Sequence, residues 1–308
     1  MTKINYFLIF IFLSLVYLHL NNYNTYINYP MKLVFFGDSM FGRNNNPFVA
    51  NPFTHVEHIL KEADALFFNL ETIISNPPLS EDHRVSKTFN YQSDGTQLLS
   101  LRSITKKPIF VSIANNHSLD YGVKGHSTTK KFLKAHNFLC NSKQKIEHKN
   151  IVFLNATDHC GCENPDLWGE NILMIDYDNL EPIYQRVRNL SGKFIVFSVH
   201  WGSNWVKGEM PLHIQEFAKT LIDLGVNIVF GHSAHHIVKD PVIKYKKGII
   251  IYGLGDFIND YSVDESYQSD KALICIIHKK YNNLSFELIK IQRKFVKEGG
   301  SIPIPEGN

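Results

Sequence analysis

The sequence predicts an α/β fold with buried strands, on three observations. From residue 32 to about 293, short apolar runs alternate with amphipathic stretches. The runs are rich in β-branched residues, as in sheets covered on both faces. Many of them end on Gly followed by Asp or His, or on Asn and Glu, and not on ordinary turn residues alone.

Taken in order, the strand-like runs cover 33–36, 65–68, 109–113, 151–154, 172–175, 194–199, 228–230, 248–252, 272–277 and 284–291. Helix-like stretches lie between many of them, most clearly at 211–224. There Ile214, Phe217, Ala218, Leu221 and Ile222 recur at three- and four-residue spacing, and Gly225 is placed to end the helix. The last two strands have no helix between them, and the Tyr-Asn-Asn at 281–283 reads as their hairpin turn. Residues 76–83 form a Pro- and acid-containing loop. Residues 299–308 read as a frayed tail, which leaves 31–295 as one domain, 1–30 as a leader with its linker, and 296–308 outside the fold.

Composition narrows the function classes. With 308 residues, 44% of them hydrophobic, the chain is long enough for a substantial core and too apolar for bulk disorder. The net charge of +3 comes with no basic run flanked by aromatics, so nucleic acid is not an expected partner. Cys140, Cys160, Cys162 and Cys275 form no CxxC pair, which argues against a zinc ribbon or a thioredoxin-type site. His159, Cys160 and Cys162 leave open a local metal site. Ordinary loop cysteines, or a disulfide to Cys140 in an exported chain, are the plainer readings.

The leader INYFLIFIFLSLVYLHL at 4–20 is almost wholly apolar and follows Lys3. At ~1.5 Å per residue it spans about 25 Å, slightly less than a ~30 Å hydrocarbon core. It reads as a signal peptide or an uncleaved signal-anchor, and the lack of an A-x-A-like site favours the anchor. Lys3 favours an inside N-terminus, which places the domain outside the cytoplasm, membrane-anchored or secreted. Translation from Met31 would give a soluble protein with the fold intact.

The chemistry gathers where strands end. The successive runs lead into Gly37-Asp38, Asn69-Leu70-Glu71, Asn115-Asn116-His117, His200-Trp201, Gly231-His232 with His235, and Gly255-Asp256. Open α/β sheets bind ligands beyond the carboxyl ends of their strands. A hydrolytic metal centre needs carboxylate, amide oxygen and imidazole donors with positions left open. Asp38, Glu71, Asn116, His200, His232 and His235 supply that mixture, and the imidazoles suit one or two Mn²⁺, Fe²⁺ or Zn²⁺ ions better than Ca²⁺. Each residue alone has an ordinary explanation: a helix cap for Asp38, a turn for Asn116, a core histidine for His200. Six together at strand ends point to a site. Arg43 suits an anionic ligand, as does Lys87, and Trp201 and Trp205 are candidate pocket walls.

These segments closely resemble the CapA-like proteins of poly-γ-glutamate capsule synthesis, whose domain falls in the calcineurin-like metallophosphatase group. The matching pieces are GDSMFGR (37–43), NLET (69–72), KTFNY (87–91), ANNHSLDYG (114–122), HWGSNW (200–205), GHSAHH (231–236) and YGLGDFIND (252–260), in family order. The resemblance implies a metallophosphatase-like β-sandwich core flanked by helices, with a metal centre at one end. It assigns Asp38 to a first metal, Glu71 to a bridge or to a second metal, Asn116 to the second, and His200, His232 and His235 to complete the shells. His117 is implied as a proton donor with an ordinary pKa of about 6.5, oriented by Asp120 if the turn folds back. Arg43, Asn115, Trp201 and Asp256 are the candidate substrate contacts. The chain departs from the phosphatase pattern at Met40, which stands where a His is usual, at Asn-Leu-Glu in place of Gly-Asp-x-x-Asp, and at Ser233-Ala234 between the last two His. The family's GNF is GDF here, which adds the Asp256 carboxylate.

Two functions follow as expectations. One is a metal-dependent, phosphoesterase-like hydrolase acting on a phosphoester or an anionic polymer within polyglutamate synthesis. The other is a non-catalytic, metal-dependent component that binds or exports a polyanion in a membrane synthesis complex.

Overall fold

The computed structural model describes residues 30–42, 51–161, 165–190, 192–260, 262–296 and 300–307. The apolar leader at 4–20 and Arg43 lie outside them. Among the described residues, no helix is long and apolar enough to cross a membrane.

The chain runs β1 (Met31–Ser39), α1 (Glu57–Glu62), β2 (Ala65–Leu70), β3 (Ile73–Ile74), β4 (Gln92–Ser93), α2 (Thr96–Ile104), β5 (Ile109–Ser112) and α3 (Gly122–Ala135). It continues through β6 (Leu139–Asn141), β7 (Ile146–His148), β8 (Ile151–Thr157), α4 (Pro165–Asn171), α5 (Glu181–Arg188), β9 (Phe194–His200) and α6 (Leu212–Asp223). The last strands are β10 (Ile228–His232), β11 (Val242–Tyr245), β12 (Gly248–Ile251), β13 (Asp256–Ile258), β14 (Lys271–Lys280), β15 (Asn283–Phe295) and β16 (Ser301–Pro305).

Two sheets carry the fold. The first has the order β16-β15-β14-β1-β2-β5-β6, with β13 beside the end of β1; the second has the order β11-β12-β10-β9-β8-β7. Strand alternation explains the layering. In β1, Leu33 and Phe35 join Phe67, Phe110, Phe153, Val196, Phe230 and Ile251 in a core between the two sheets. Val34 and Phe36 point the other way, onto Ile59 and Leu60 of α1, Leu98 and Leu101 of α2 and Leu133 of α3. The second sheet repeats this: Phe197, Val229 and Ile250 meet Ile183 and Val187 of α5 and Phe217, Ala218 and Leu221 of α6. Every strand near the centre is buried on both faces, which is why its sequence is continuously apolar. The result is the helix-flanked, metallophosphatase-like α/β sandwich that the sequence predicts.

The expected helix at 211–224 is α6, with Pro211 capping it and Gly225 ending it at φ 106°. The expected hairpin is β14–β15, paired from Lys271↔Gln292 to Lys280↔Asn283. Two readings are corrected. Residues 172–175 do not form a strand; Met174 makes a single bridge to Thr157 after α4. The expected frayed tail contains β16, which pairs antiparallel with β15 from Ile291↔Pro305 to Phe295↔Ser301. Its Ser301, Pro303 and Pro305 are buried, and Pro303 and Pro305 are tolerated because the strand lies at a sheet edge. Cys140 and Cys275 are free thiols; Cys162 is outside the described residues.

β1, β2, β5 and β6 run parallel, as do β8, β9, β10 and β12. The carboxyl ends of β1 and β2 from one sheet meet those of β9 and β10 from the other at one rim of the sandwich. At that rim β1 comes so close to the 253–255 turn that a Cβ on Gly37 would sit 1.9 Å from the Gly255 carbonyl oxygen.

Candidate metal centre

Register puts the polar residues side by side. Asp38 lies opposite Asn69 on β2 and Asp256 on β13, Asn69 lies opposite Ser112 on β5, and His200 lies opposite His232. Two groups of donors result, each with its ligand atoms within 4.8 Å of one another. One is Asp38, Glu71, His200 and His232; the other is Asp38, His235 and Asp256. All six residues are buried, and Asp38 is common to both groups.

The short distances crowd ring nitrogens and carboxyl oxygens into one buried place. Nδ1 of His200 lies 2.9 Å from Nδ1 of His232 and 3.1 Å from Glu71 Oε1. His232 Nδ1 lies 3.7 Å from Asp38 Oδ1. Burial, and then the neighbouring Asp256, push the Asp38 carboxyl up to about 6. Burial and the Asp38 charge hold Glu71 well above the usual carboxylate range. Burial, with His232 adding to it, keeps His200 well below the usual imidazole range, and burial with His159 does the same to His232. Burial also works against charge on His235, but Asp256, by charge and hydrogen bond, and then Asp38 outweigh it, so its pKa is raised.

The donor set fits a divalent cation on the structure's own terms. Glu71 Oε2, in the first donor group, is buried with no hydrogen-bond partner. Such an orphaned atom is costly unless something else satisfies it. Carboxylate, amide oxygen and imidazole are also the donors that bind first-row transition ions.

Residues that touch the donors are as telling as the donors themselves. Asn69 gives its Nδ2 protons to Asp38 Oδ1 at 2.8 Å and Glu71 Oε1 at 2.9 Å, holding two carboxyls that would otherwise repel. The backbone N–H of Ser233, which has φ 108°, donates to Asp38 Oδ2 at 2.9 Å. Ser198 Oγ lies 2.9 Å from His232 Nε2. Asn69 and Ser198 escaped the sequence reading, although Asn69 sits at a strand end and obeys the rule that found Glu71. Ser198 lies inside an apolar strand and gives no such signal.

Beside the donors, the turn after β5 does fold back. His117 Nδ1 is 2.8 Å from Asp120 Oδ2, and Asp120 also accepts from the Tyr91 N–H at 2.6 Å. Lys87 Nζ pairs with Asp120 Oδ1 at 2.5 Å and donates to the Asn116 carbonyl at 2.9 Å. Lys87 Nζ also lies 3.0 Å from His117 Nδ1. With Nδ1–H given to Asp120, Nε2 is the acceptor; with Lys87 donating to Nδ1, the proton sits on Nε2. The ordinary pKa expected for His117 is corrected: burial lowers it to about 4, Asp120 pulling against that and Lys87 adding to it.

Three expected substrate contacts are relocated. Asn115 is fully buried and spends its amide on Asn69 Oδ1 and the Leu70 carbonyl, so it clamps β5 to β2. Trp201 turns inward, its Nε1 donating to the Tyr252 carbonyl at 3.1 Å and its ring so close to Gly231 that a Cβ there would sit 2.4 Å from it. Asp256 belongs to the second donor group and accepts from His235 Nδ1 at 2.8 Å. Trp205, by contrast, is 39% exposed. With Phe89, Asn204, Asp264, Glu265 and His235 it lines an open cleft of about 490 Å³, and His235 joins that cleft to the donors.

Residues 32–261 match the family described as "Bacterial capsule synthesis protein PGA_cap". The chain belongs to this family. Among its relatives, the capsule biosynthesis protein CapA of Bacillus anthracis is 28% identical over 275 residues, covering 80% of this chain and 64% of the relative. A probable polyglutamine synthesis accessory protein of Mycobacterium tuberculosis is 27% identical over 237 residues, covering 68% of this chain and 60% of the relative. The PGA biosynthesis protein CapA of Bacillus subtilis is 25% identical over 290 residues, covering 87% and 73%. The PGA_cap chain therefore spans less than two thirds of the length of the first two.

Proposed function

We propose that this chain is an accessory protein in the synthesis of a polyglutamate-type anionic polymer, and that its strand-end centre is a metal-dependent, phosphoesterase-like hydrolytic site. The relatives' names support the first half. The observation that carries the second is the pair of buried donor groups sharing Asp38, with Glu71 Oε2 left unsatisfied.

Asp38, Glu71, His200 and His232 would hold one ion, and Asp38 with His235 and Asp256 would hold or orient a second; Mn²⁺, Fe²⁺ and Zn²⁺ fit these donors. Such an ion, when bound, supplies charge stabilisation and lowers the pKa of bound water. The chain's own residues do the rest. Asn69 fixes the two carboxyls, Asp120 and Lys87 fix the His117 ring, and the apolar core behind the rim excludes water. An anionic substrate docking beside neutral His117 favours its protonated form, so His117 acquires a proton with the substrate and can give it to the leaving group. The run at 4–20 would tether the domain outside the cytoplasm, near a membrane synthesis complex.

The test is the purified full chain with a panel of divalent metals, an aryl phosphate and a polyglutamate. Metal-dependent release of the aryl alcohol supports the hydrolase. Metal binding without turnover of either substrate overturns it in favour of a polyanion-binding component. Fractionation of tagged full-length protein checks the tether; uncleaved protein in the soluble fraction would overturn it.

A further inference from the structure

One polar network at the centre starts outside the family match. Arg293 lies on β15, beyond residue 261, and is 2% exposed. Its guanidinium donates to Asn259 Oδ1 and to the Ser269 carbonyl. Asn259 Nδ2 in turn donates to Asp256 Oδ2. Asp256 Oδ1 accepts from His235 Nδ1 at 2.8 Å. Ser301 of β16 closes the corner, its Oγ accepting from the Asn259 N–H at 3.2 Å and donating to the Asn259 carbonyl at 2.8 Å.

A buried guanidinium is costly unless charge and hydrogen bonds compensate it, and the nearby acids are Asp256 and Asp270. An imidazole that gives its Nδ1–H to a carboxylate keeps its Nε2 lone pair for a cation, and such outer partners set both tautomer and ring orientation. Both oxygens of Asp256 are already engaged, one by His235 and one by Asn259. We propose that Arg293, acting through Asn259 and Asp256, is a positioning residue for His235, and that the C-terminal strands β15 and β16 are thereby a working part of the metal centre. This rests on the metal reading above.

The experiment measures Co²⁺ binding to the full chain by titration and by the visible absorption of the bound ion, beside thermal stability. Arg293→Met is expected to weaken the ion held through His235 by about 10-fold or more, the range typical of lost outer-shell partners, and to alter its spectrum. Arg293→Lys should restore part of both. Ile291→Ala, a core truncation on the same strand, should lower the melting temperature and leave affinity and spectrum unchanged. Should Arg293→Met not fold, Asn259→Ala breaks the same relay and must give the same two changes. Unchanged Co²⁺ affinity and spectrum in the folded relay variants, or equal losses in Ile291→Ala, would overturn the proposal while leaving the metal centre standing. Wild-type chain that takes up no Co²⁺ would overturn the metal centre and this inference together.

Discussion

The two donor groups around Asp38 are built on different principles. The group with Glu71, His200 and His232 is crowded and unsatisfied: two imidazole Nδ1 atoms face each other at 2.9 Å, and Glu71 Oε2 has no hydrogen-bond partner. The group with His235 and Asp256 is supported from behind, by Asn259 and Arg293. The first group needs a cation to resolve its own geometry. The second has its orientation set before one arrives. Tight, preordered binding is therefore expected where support exists, and strong coupling to pH where it does not.

The largest expected effect comes from the residue common to both groups. Asp38→Asn should cut metal content in both and lower affinity by more than the ~10–100-fold typical of outer-shell changes; elemental analysis and titration read it. Retained content of two ions would break the comparison at its root. Next, His200→Ala and His232→Ala should empty the crowded group and spare the supported one, while His235→Ala does the reverse. If all three variants lose the same ion, the groups are one site.

His117→Ala separates proton handling from metal holding. Metal content should stay and aryl phosphate turnover should fall by roughly 10²–10⁴-fold. Lost metal would make His117 a ligand; unchanged turnover would remove it from the chemistry. The smallest effect is on pH. Binding needs ionised Asp38, whose carboxyl is raised to about 6. Apparent affinity should therefore rise as pH passes through about 6 and go on rising beyond it, because Glu71 and His235 are raised as well and must also lose their protons, with protons released on binding throughout. The metal-free fold shows the opposite sign, because a raised carboxyl favours the protonated state: the Asp38 contribution is fully present below its ordinary pKa of 3.8 and is lost as pH rises through about 6. Calorimetric titrations in buffers of different ionisation enthalpy check the release. Affinity independent of pH between 5 and 7 would remove Asp38 from the ligands.

Away from the rim, His126 shows what a histidine with no site to serve looks like. It is buried on α3, its Nε2 2.9 Å from Ser142 Oγ, and burial, reinforced by Lys130, lowers its pKa to about 4. In sequence it lacks the strand-end position, after Asn115-Asn116, that singles out His117. Only the fold shows that one faces Asp120 and Lys87 at the rim and the other a serine inside the helix layer.

Local chemistry alone determined which runs become strands, because a strand buried on both faces must be continuously apolar, as in β1, β9 and β10. It also determined that polar residues collect at strand ends, since a covered sheet leaves them nowhere else to go, and this made Asp38, Glu71, Asn116, His200, His232 and His235 legible. Local chemistry was silent on β16, a five-residue edge strand with two prolines whose stability comes from pairing with β15. It was misleading for Trp201 and Asn115, whose neighbours Tyr252 and Leu70 are far along the chain. Only the tertiary structure joined Arg293 to His235, across 58 residues of sequence, because a buried charge is placed by whatever the fold brings to it and not by its neighbours in the chain.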